Sequence, residues 1–189
     1  MSIKSFLTGI LRVRINNYRR RAHRANLDLL RSRGLKIGRD CSFEDGVFLD
    51  PSHCYLIEIG DNVIFAPNVR LIAHDASTKF VVKYSRLDRI VIGSRCFLGD
   101  SVIILAGVQI GEDCIIGAGS VVTKSIPRGS VAAGIPAKVI CTIDEYRVRH
   151  EAALKVATIF DANASAEKST AEIRRKVLEA TSRGPTYMP

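Results

Sequence analysis

From Ile92 the chain reads I-G-S-R-C-F (92–97), L-G-D-S-V-I (98–103), I-L-A-G-V-Q (104–109), I-G-E-D-C-I (110–115), I-G-A-G-S-V (116–121) and V-T-K-S-I-P (122–127). An aliphatic residue returns at every sixth position: Ile92, Leu98, Ile104, Ile110, Ile116 and Val122. Neither an amphipathic helix nor a half-buried strand has that period. A six-residue self-similarity marks a solenoid whose unit is one short strand and a turn. Glycine follows the aliphatic at Gly93, Gly99, Gly111 and Gly117, where a tight corner can use positive φ. Four positions after each aliphatic stand Cys96, Val102, Val108, Cys114, Ser120 and Ile126, mostly small or β-branched. One large and one small inward residue per hexad would fill a narrow prism.

The same period reaches back to Ile37. Ile37, Phe43 and Leu49 lead one set of three hexads, and Ile59, Phe65 and Leu71 lead a second, after an offset at residues 55–58. Three hexads make one triangular coil, so successive coils pair their strands in parallel and stack their inward residues in columns. Residues 76–89, A-S-T-K-F-V-V-K-Y-S-R-L-D-R, break the period and read as a loop extruded from one corner. A long loop on a regular scaffold is a candidate binding element, and Lys83 and Tyr84 in it are candidate acceptor contacts. The segment I-P-R-G-S-V-A-A-G-I-P-A-K-V-I (126–140), with Pro127, Pro136, Gly129 and Gly134, suits a final irregular coil.

The flanks read differently. The chain carries a formal charge of +9. Residues 1–36 hold ten Lys or Arg against the single acid Asp28, so this arm alone is +9 and the remaining 18 bases and 18 acids cancel. Ile3, Phe6, Leu7, Ile10 and Leu11 share one helical face, so residues 1–33 read as a basic amphipathic helix. It would lie on an anionic membrane surface, or pack on the solenoid or a neighbouring subunit. Aromatics interleaved with the bases are missing, which argues against nucleic acid. Arg12 and Arg14 interrupt the first apolar stretch, no apolar run approaches a membrane span, and the expectation is a cytoplasmic protein, at most peripheral to the membrane. Five cysteines form no C-x-x-C pair; Cys41, Cys96 and Cys114 fall on the small inward position and read as buried thiols. Beyond Asp144 the pattern turns helical, and S-T-A-E from Ser169 resembles a capping box opening a second helix. The expected division is an arm at 1–36, a β-helix at 37–140 and a helical cap and tail at 141–189.

I-G-D-N-V-I-F-A-P-N-V-R-L with His74 close behind, then I-G-S-R-C-F-L-G, G-A-G-S-V-V-T-K-S-I-P and A-A-G-I-P-A-K-V-I, resemble the hexapeptide-repeat acyltransferases over roughly residues 37–140. The nearest branch is the sugar O-acetyltransferases, such as the maltose and galactoside enzymes and those that modify cell-surface polysaccharides or glycolipids. The resemblance implies an all-β solenoid, a left-handed parallel β-helix with flanking α-helices, assembled as a homotrimer. It implies acetyl-CoA as co-substrate in a groove between prisms, a sugar or oligosaccharide acceptor near the extruded loop, and no metal.

Moving an acetyl group from a thioester to a hydroxyl needs a base, a donor for the tetrahedral oxyanion, and two substrates held together. His74 is the candidate base: an imidazole can take the hydroxyl proton near neutral pH and return it to the leaving sulfur. Asp75, next in sequence, is a weaker candidate to orient it; His53 reads as structural, and His23 and His150 lie in the flanks. The resemblance points to the backbone amide of Asp100 for the oxyanion, to Ala118 for the pantetheine arm, and to Thr123, Lys124 and Lys138 near the nucleotide of acetyl-CoA. Asn68 is a candidate acceptor contact. Phe97 departs from the Trp common in relatives and loses the indole donor.

Other readings stay open. The acceptor could be serine or an amino sugar, although serine acetyltransferases carry a larger helical N-terminal domain. A non-catalytic binding scaffold is a second class. A zinc hydratase on the same fold needs three converging histidines, and only His53 and His74 lie in the repeat.

Overall fold

The computed structural model describes residues 26–161, 164 and 169–189. It divides into two units, residues 1–140 and 141–189. Most of the basic arm, including its apolar face at residues 3–11, lies outside the described residues.

Up to Gly134 the first unit is built mainly from short parallel strands that visit three sheets in rotation. β1 (Lys36–Ile37), β4 (Ile57–Ile59), β9 (Ile90–Ile92) and β12 (Gln109–Ile110) form the first sheet. β2 (Ser42–Phe43), β5 (Ile64–Phe65), β10 (Phe97–Leu98), β13 (Ile115–Ile116), β15 (Ser130–Gly134) and β16 (Ala137–Thr142) form the second. β3 (Phe48–Leu49), β6 (Arg70–Ile72), β11 (Ile103–Leu105) and β14 (Val121–Val122) form the third. β7 (His74–Asp75) and β8 (Arg86–Leu87) make a separate antiparallel pair at the extruded segment.

The register explains the six-residue period. Ile37, Ile59, Ile92 and Ile110 stand in one column. Phe43, Phe65, Leu98, Ile116 and Ala132 form a second column. Leu49, Leu71, Ile104 and Val122 form the third. Most of these side chains are fully buried, and the rings of Phe43 and Phe65 stack with centroids 4.6 Å apart. Removing an aliphatic side chain of this kind from water contributes about 1.5–3 kcal/mol. The second inward column is equally dry: Cys96, Val102, Val108, Cys114 and Ser120 are all buried. Ser120 is polar there at little cost, because its Oγ donates to the Gly117 carbonyl (2.6 Å) and accepts from the Gly134 N–H (3.1 Å). Cys41 is only half-buried, contrary to its reading as a fully interior thiol. Leu30, in the helical residues 26–32, and Leu35 also enter this core.

The repeat glycines have a different cause from the one expected. Gly93, Gly99, Gly111 and Gly117 are absent from the residues with positive φ; the left-handed residue comes two places later, at Arg95 (59°), Ser101 (58°), Asp113 (57°) and Gly119 (69°). What the glycines permit is contact between stacked corners. A Cβ on Gly93 would lie 2.5 Å from the Glu112 nitrogen, and one on Gly99 would lie 2.6 Å from the Ala118 nitrogen.

Residues 76–89 are more ordered than a simple loop. The Asp75 carboxylate accepts from the N–H and hydroxyl of Ser77. The Thr78 hydroxyl lies within hydrogen-bond distance of the Asp75 and Tyr84 carbonyls and accepts from the Arg86 N–H. Between them α1 (Lys79–Val82) ends in Lys83 at φ 63°. Phe80, Val81, Val82 and Tyr84 stand exposed on it.

In the second unit, α2 (Ile143–Leu154) opens on a capping box between Thr142 and Glu145, a motif the sequence reading passed over. α3 (Ala171–Thr181) is capped by Thr170, whose side chain accepts from the Ile173 N–H. This corrects the expected start at Ser169: Glu172 pairs with Lys176 at 2.9 Å and so does not reach back to close a box. Among the described residues no helix is long and apolar enough to cross a membrane.

Candidate active site

Each coil turns three corners, and the corner between the third sheet and the next strand of the first is where the chemistry gathers. In the first coil that corner holds Asp50 and His53, followed by a 3-10 turn at Cys54–Leu56. In the second coil it holds Ala73 and His74, where the chain leaves for the antiparallel excursion. Leu49 pairs with Leu71, so these two corners stack and residues 24 apart in sequence meet.

Asp50 is the organising group. Its side chain is 1% exposed. Oδ2 accepts from the Ala73 N–H (3.1 Å) and from His74 Nδ1 (2.5 Å), and Oδ1 accepts from the Ser52 N–H (3.2 Å). Burial pushes the Asp50 carboxyl up, but the hydrogen bond and charge of His74 and the two backbone donors outweigh it and hold it below the ordinary carboxylate range. An ionised carboxylate only accepts, so His74 Nδ1 must carry the proton. In the neutral ring this puts the lone pair on Nε2, and the ring is 34% exposed. His53 lies on the other side: its Nδ1 is 3.8 Å from Asp50 Oδ1, and its ring centroid is 4.9 Å from that of His74.

Asp75, the candidate orienter in the sequence, has its carboxylate engaged with Ser77. Asp50 fills that role, and the sequence reading missed it. The available signal was L-D-P-S-H-C at 49–54, which repeats the placing of A-H-D at 73–75 just after the third inward column. His53, read as structural, belongs to the same cluster.

The remaining candidates divide between two edges of the unit. Asn68, Asp100 and Ala118 lie at stacked corners between the second and third sheets, all exposed. Asn68 adopts φ 61°, and its side chain lies where a Cβ on Gly46 would be. Thr123 and Lys124 follow β14, on the same edge as His74 but two strands away across β6, β11 and β14. Two strand spacings are about 10 Å. Lys138 is exposed on β16, and Lys83 and Tyr84 are exposed on the extruded segment. Crossing the third sheet from Asp100 to its far edge takes five or six residues, roughly 15–20 Å. A single chain therefore does not bring His74 together with the Asp100 amide.

The bacterial transferase hexapeptide (six repeats) family matches residues 89–124. Galactoside O-acetyltransferase of Escherichia coli (strain K12) is 45% identical over 96 residues, covering 48% of this chain and 46% of that protein. The chain thus spans about half the length of that relative. Protein CapG of Staphylococcus aureus is 40% identical over 129 residues, covering 65% of this chain and 74% of that protein. A galactoside acetyltransferase structure in complex with coenzyme A superposes with a TM-score of 0.51 at 32% identity, covering 60% of this chain and 67% of that one. Repeat, parallel register and relatives agree, and the chain belongs to the hexapeptide-repeat transferase family.

Proposed function

We propose that this chain is an acetyl-CoA-dependent O-acetyltransferase acting on a sugar hydroxyl, in the building of a cell-surface polysaccharide or glycolipid, with His74 as general base. One observation carries the reading: a buried carboxylate holds Nδ1–H of a partly exposed imidazole, leaving Nε2 to take a proton. The galactoside acetyltransferase likeness supports the acetyl donor and the sugar acceptor.

In the reaction, the acceptor oxygen attacks the thioester carbonyl carbon while its proton passes to His74 Nε2. Asp50 stabilises the imidazolium that forms, as a buried carboxylate does beside any charging imidazole. The carbonyl oxygen becomes an oxyanion, met by the Asp100 amide. Collapse breaks the carbon–sulfur bond, and the CoA thiolate takes the proton back from His74. Ala118, Thr123, Lys124 and Lys138 would hold acetyl-CoA, and Asn68, Lys83 and Tyr84 the acceptor.

Reacting groups must approach to about 3–3.5 Å. The two edges of one chain are too far apart for that, which supports a site made between copies: His74 from one, Asp100 and Ala118 from the next. A homotrimer of left-handed prisms provides three such seams. The outward side of the second sheet supports this packing, since Ile64 and Phe97 are adjacent there and exposed.

The test is thiol release from acetyl-CoA across mono- and oligosaccharides, with serine and glucosamine as further arms and His74→Ala as control. Sugar-dependent release that His74→Ala loses is the expected result. Release with serine alone would move the acceptor class. Acetyl transfer undiminished in His74→Ala would overturn the mechanism.

A further inference from the structure

His53 is the residue that the dyad leaves unexplained. Its Nδ1 is buried and has no hydrogen-bond partner. At 3.8 Å from Asp50 Oδ1 it is too far to donate to it. In the Nε2–H tautomer the Nδ1 lone pair faces the Asp50 carboxylate, and a cation between the two atoms would satisfy both.

We propose that Asp50, His53 and His74 form a binding site for a divalent transition-metal ion of the Zn2+ type, and that its occupancy switches off His74. The three residues present ligand atoms that all lie within 4.8 Å of one another. Two ligands at zinc bond lengths of about 2.0–2.1 Å on a tetrahedral centre lie about 3.3 Å apart. Asp50 Oδ1 lies 3.8 Å from His53 Nδ1, within about half an ångström of that value, and the 2.5 Å hydrogen bond from His74 Nδ1 to Oδ2 would open by about 0.8 Å as the ion takes the place of its proton. Two imidazoles and one carboxylate are a ligand set such ions accept, with a water completing the tetrahedron. Asp50 is already dehydrated and fixed by the Ser52 and Ala73 N–H groups, as metal-bound carboxylates are.

The consequence for His74 follows from its two nitrogens. Without metal, Nδ1 carries the ring proton and Nε2 the lone pair. With metal, the Nδ1 lone pair binds the ion and the one ring proton sits on Nε2. The atom that would accept the acceptor's proton is then occupied, with no net change in protons on the ring. Binding rests on geometry alone; the inhibition rests on the reading of His74 as base.

The experiment is a titration of the full chain with Co2+, read by visible absorption, and with Zn2+, read by calorimetry, alongside His53→Ala, His53→Gln and a His150→Ala control. The expected result is one ion per chain, with a four-coordinate cobalt spectrum and no thiolate-to-cobalt band. Affinity should fall by about 100-fold or more in both His53 variants, since even indirect ligand contacts are worth 10–100-fold. Zn2+ should inhibit acetyl transfer by wild type and no longer do so in His53→Gln. No stoichiometric binding, a thiolate band, or equal affinity in the His53 variants would overturn the site. Binding without measurable acetyl transfer would leave the site standing and remove the enzymatic reading, so the two failures are distinguishable.

Discussion

Replacing Asp50 by Asn tests the candidate dyad without changing its shape. The wild-type carboxylate accepts from Ser52 N–H on one oxygen and from Ala73 N–H and His74 Nδ1 on the other. An amide must turn its NH2 toward one side. Facing His74 and Ala73 it would meet two donors; facing Ser52 it meets one, and Ser52 is exposed and can turn to water. The second orientation should prevail, so His74 keeps its Nδ1–H tautomer and its position. What is lost is the negative charge opposite the imidazolium formed in the transition state. Unit charges about 4 Å apart attract by about 1 kcal/mol in water and about 4 kcal/mol at an effective dielectric of 20. With His74 34% exposed, the effect falls inside that range. Asp50→Asn should therefore lower kcat/KM by roughly 10- to 1,000-fold. His74→Ala should lower it by about 10²–10⁴-fold. Because Asp50 acts through His74, the double variant should be no slower than His74→Ala alone. The assay is CoA release at saturating acetyl-CoA with the best sugar from the screen, and KM for acetyl-CoA should stay within about twofold. If Asp50→Asn matched wild type, or if the two losses multiplied in the double variant, Asp50 would have no part in proton transfer.

Acid should weaken the fold through the same group. The native Asp50 carboxyl is held below its ordinary value, so its contribution is complete above the unfolded carboxylate's value of about 4 and disappears as pH falls through the lower native value. The gap in urea midpoint between wild type and Asp50→Asn should shrink as pH is lowered from about 5 to 3; a gap independent of pH would contradict this. Gly93→Ala sets a methyl 2.5 Å from the Glu112 backbone nitrogen, so it should cost about 1–3 kcal/mol in chemical denaturation. An unchanged midpoint would show that the stacked corners separate freely. Thr142→Ala removes the hydroxyl that accepts from Glu145 N–H. It should destabilise α2 by about 0.5–2 kcal/mol, read as faster amide exchange in its first turn.

The prism was legible in the sequence because its rule is local. Each hexad closes its own strand and corner, so counting by six assigns Ile92, Leu98, Ile104 and their partners to the interior before any pairing is known. His74 stands out as a candidate partly by the same rule, since it ends a run of hexads where the period breaks, and partly because its place matches the family motif. The repeat glycines were found but misread, because counting residues cannot tell a left-handed φ from a close approach between coils. The near-neighbour reading of Asp75 failed because its carboxylate is used within its own turn by Ser77.

The cluster of Asp50, His53 and His74 belongs to the tertiary structure. Corner residues meet according to the pairing of whole coils, and coil length here is irregular: Ile37 pairs with Ile59, Ile59 with Ile92, and Ile92 with Ile110. Insertions at residues 55–58 and 76–89 break any fixed offset that would have set Asp50 against His74. The sequence determined which residues face inward, since the six-residue period acts strand by strand. Only the folded chain decided which corner stacks on which, because that depends on hydrogen-bond register between strands far apart in the sequence.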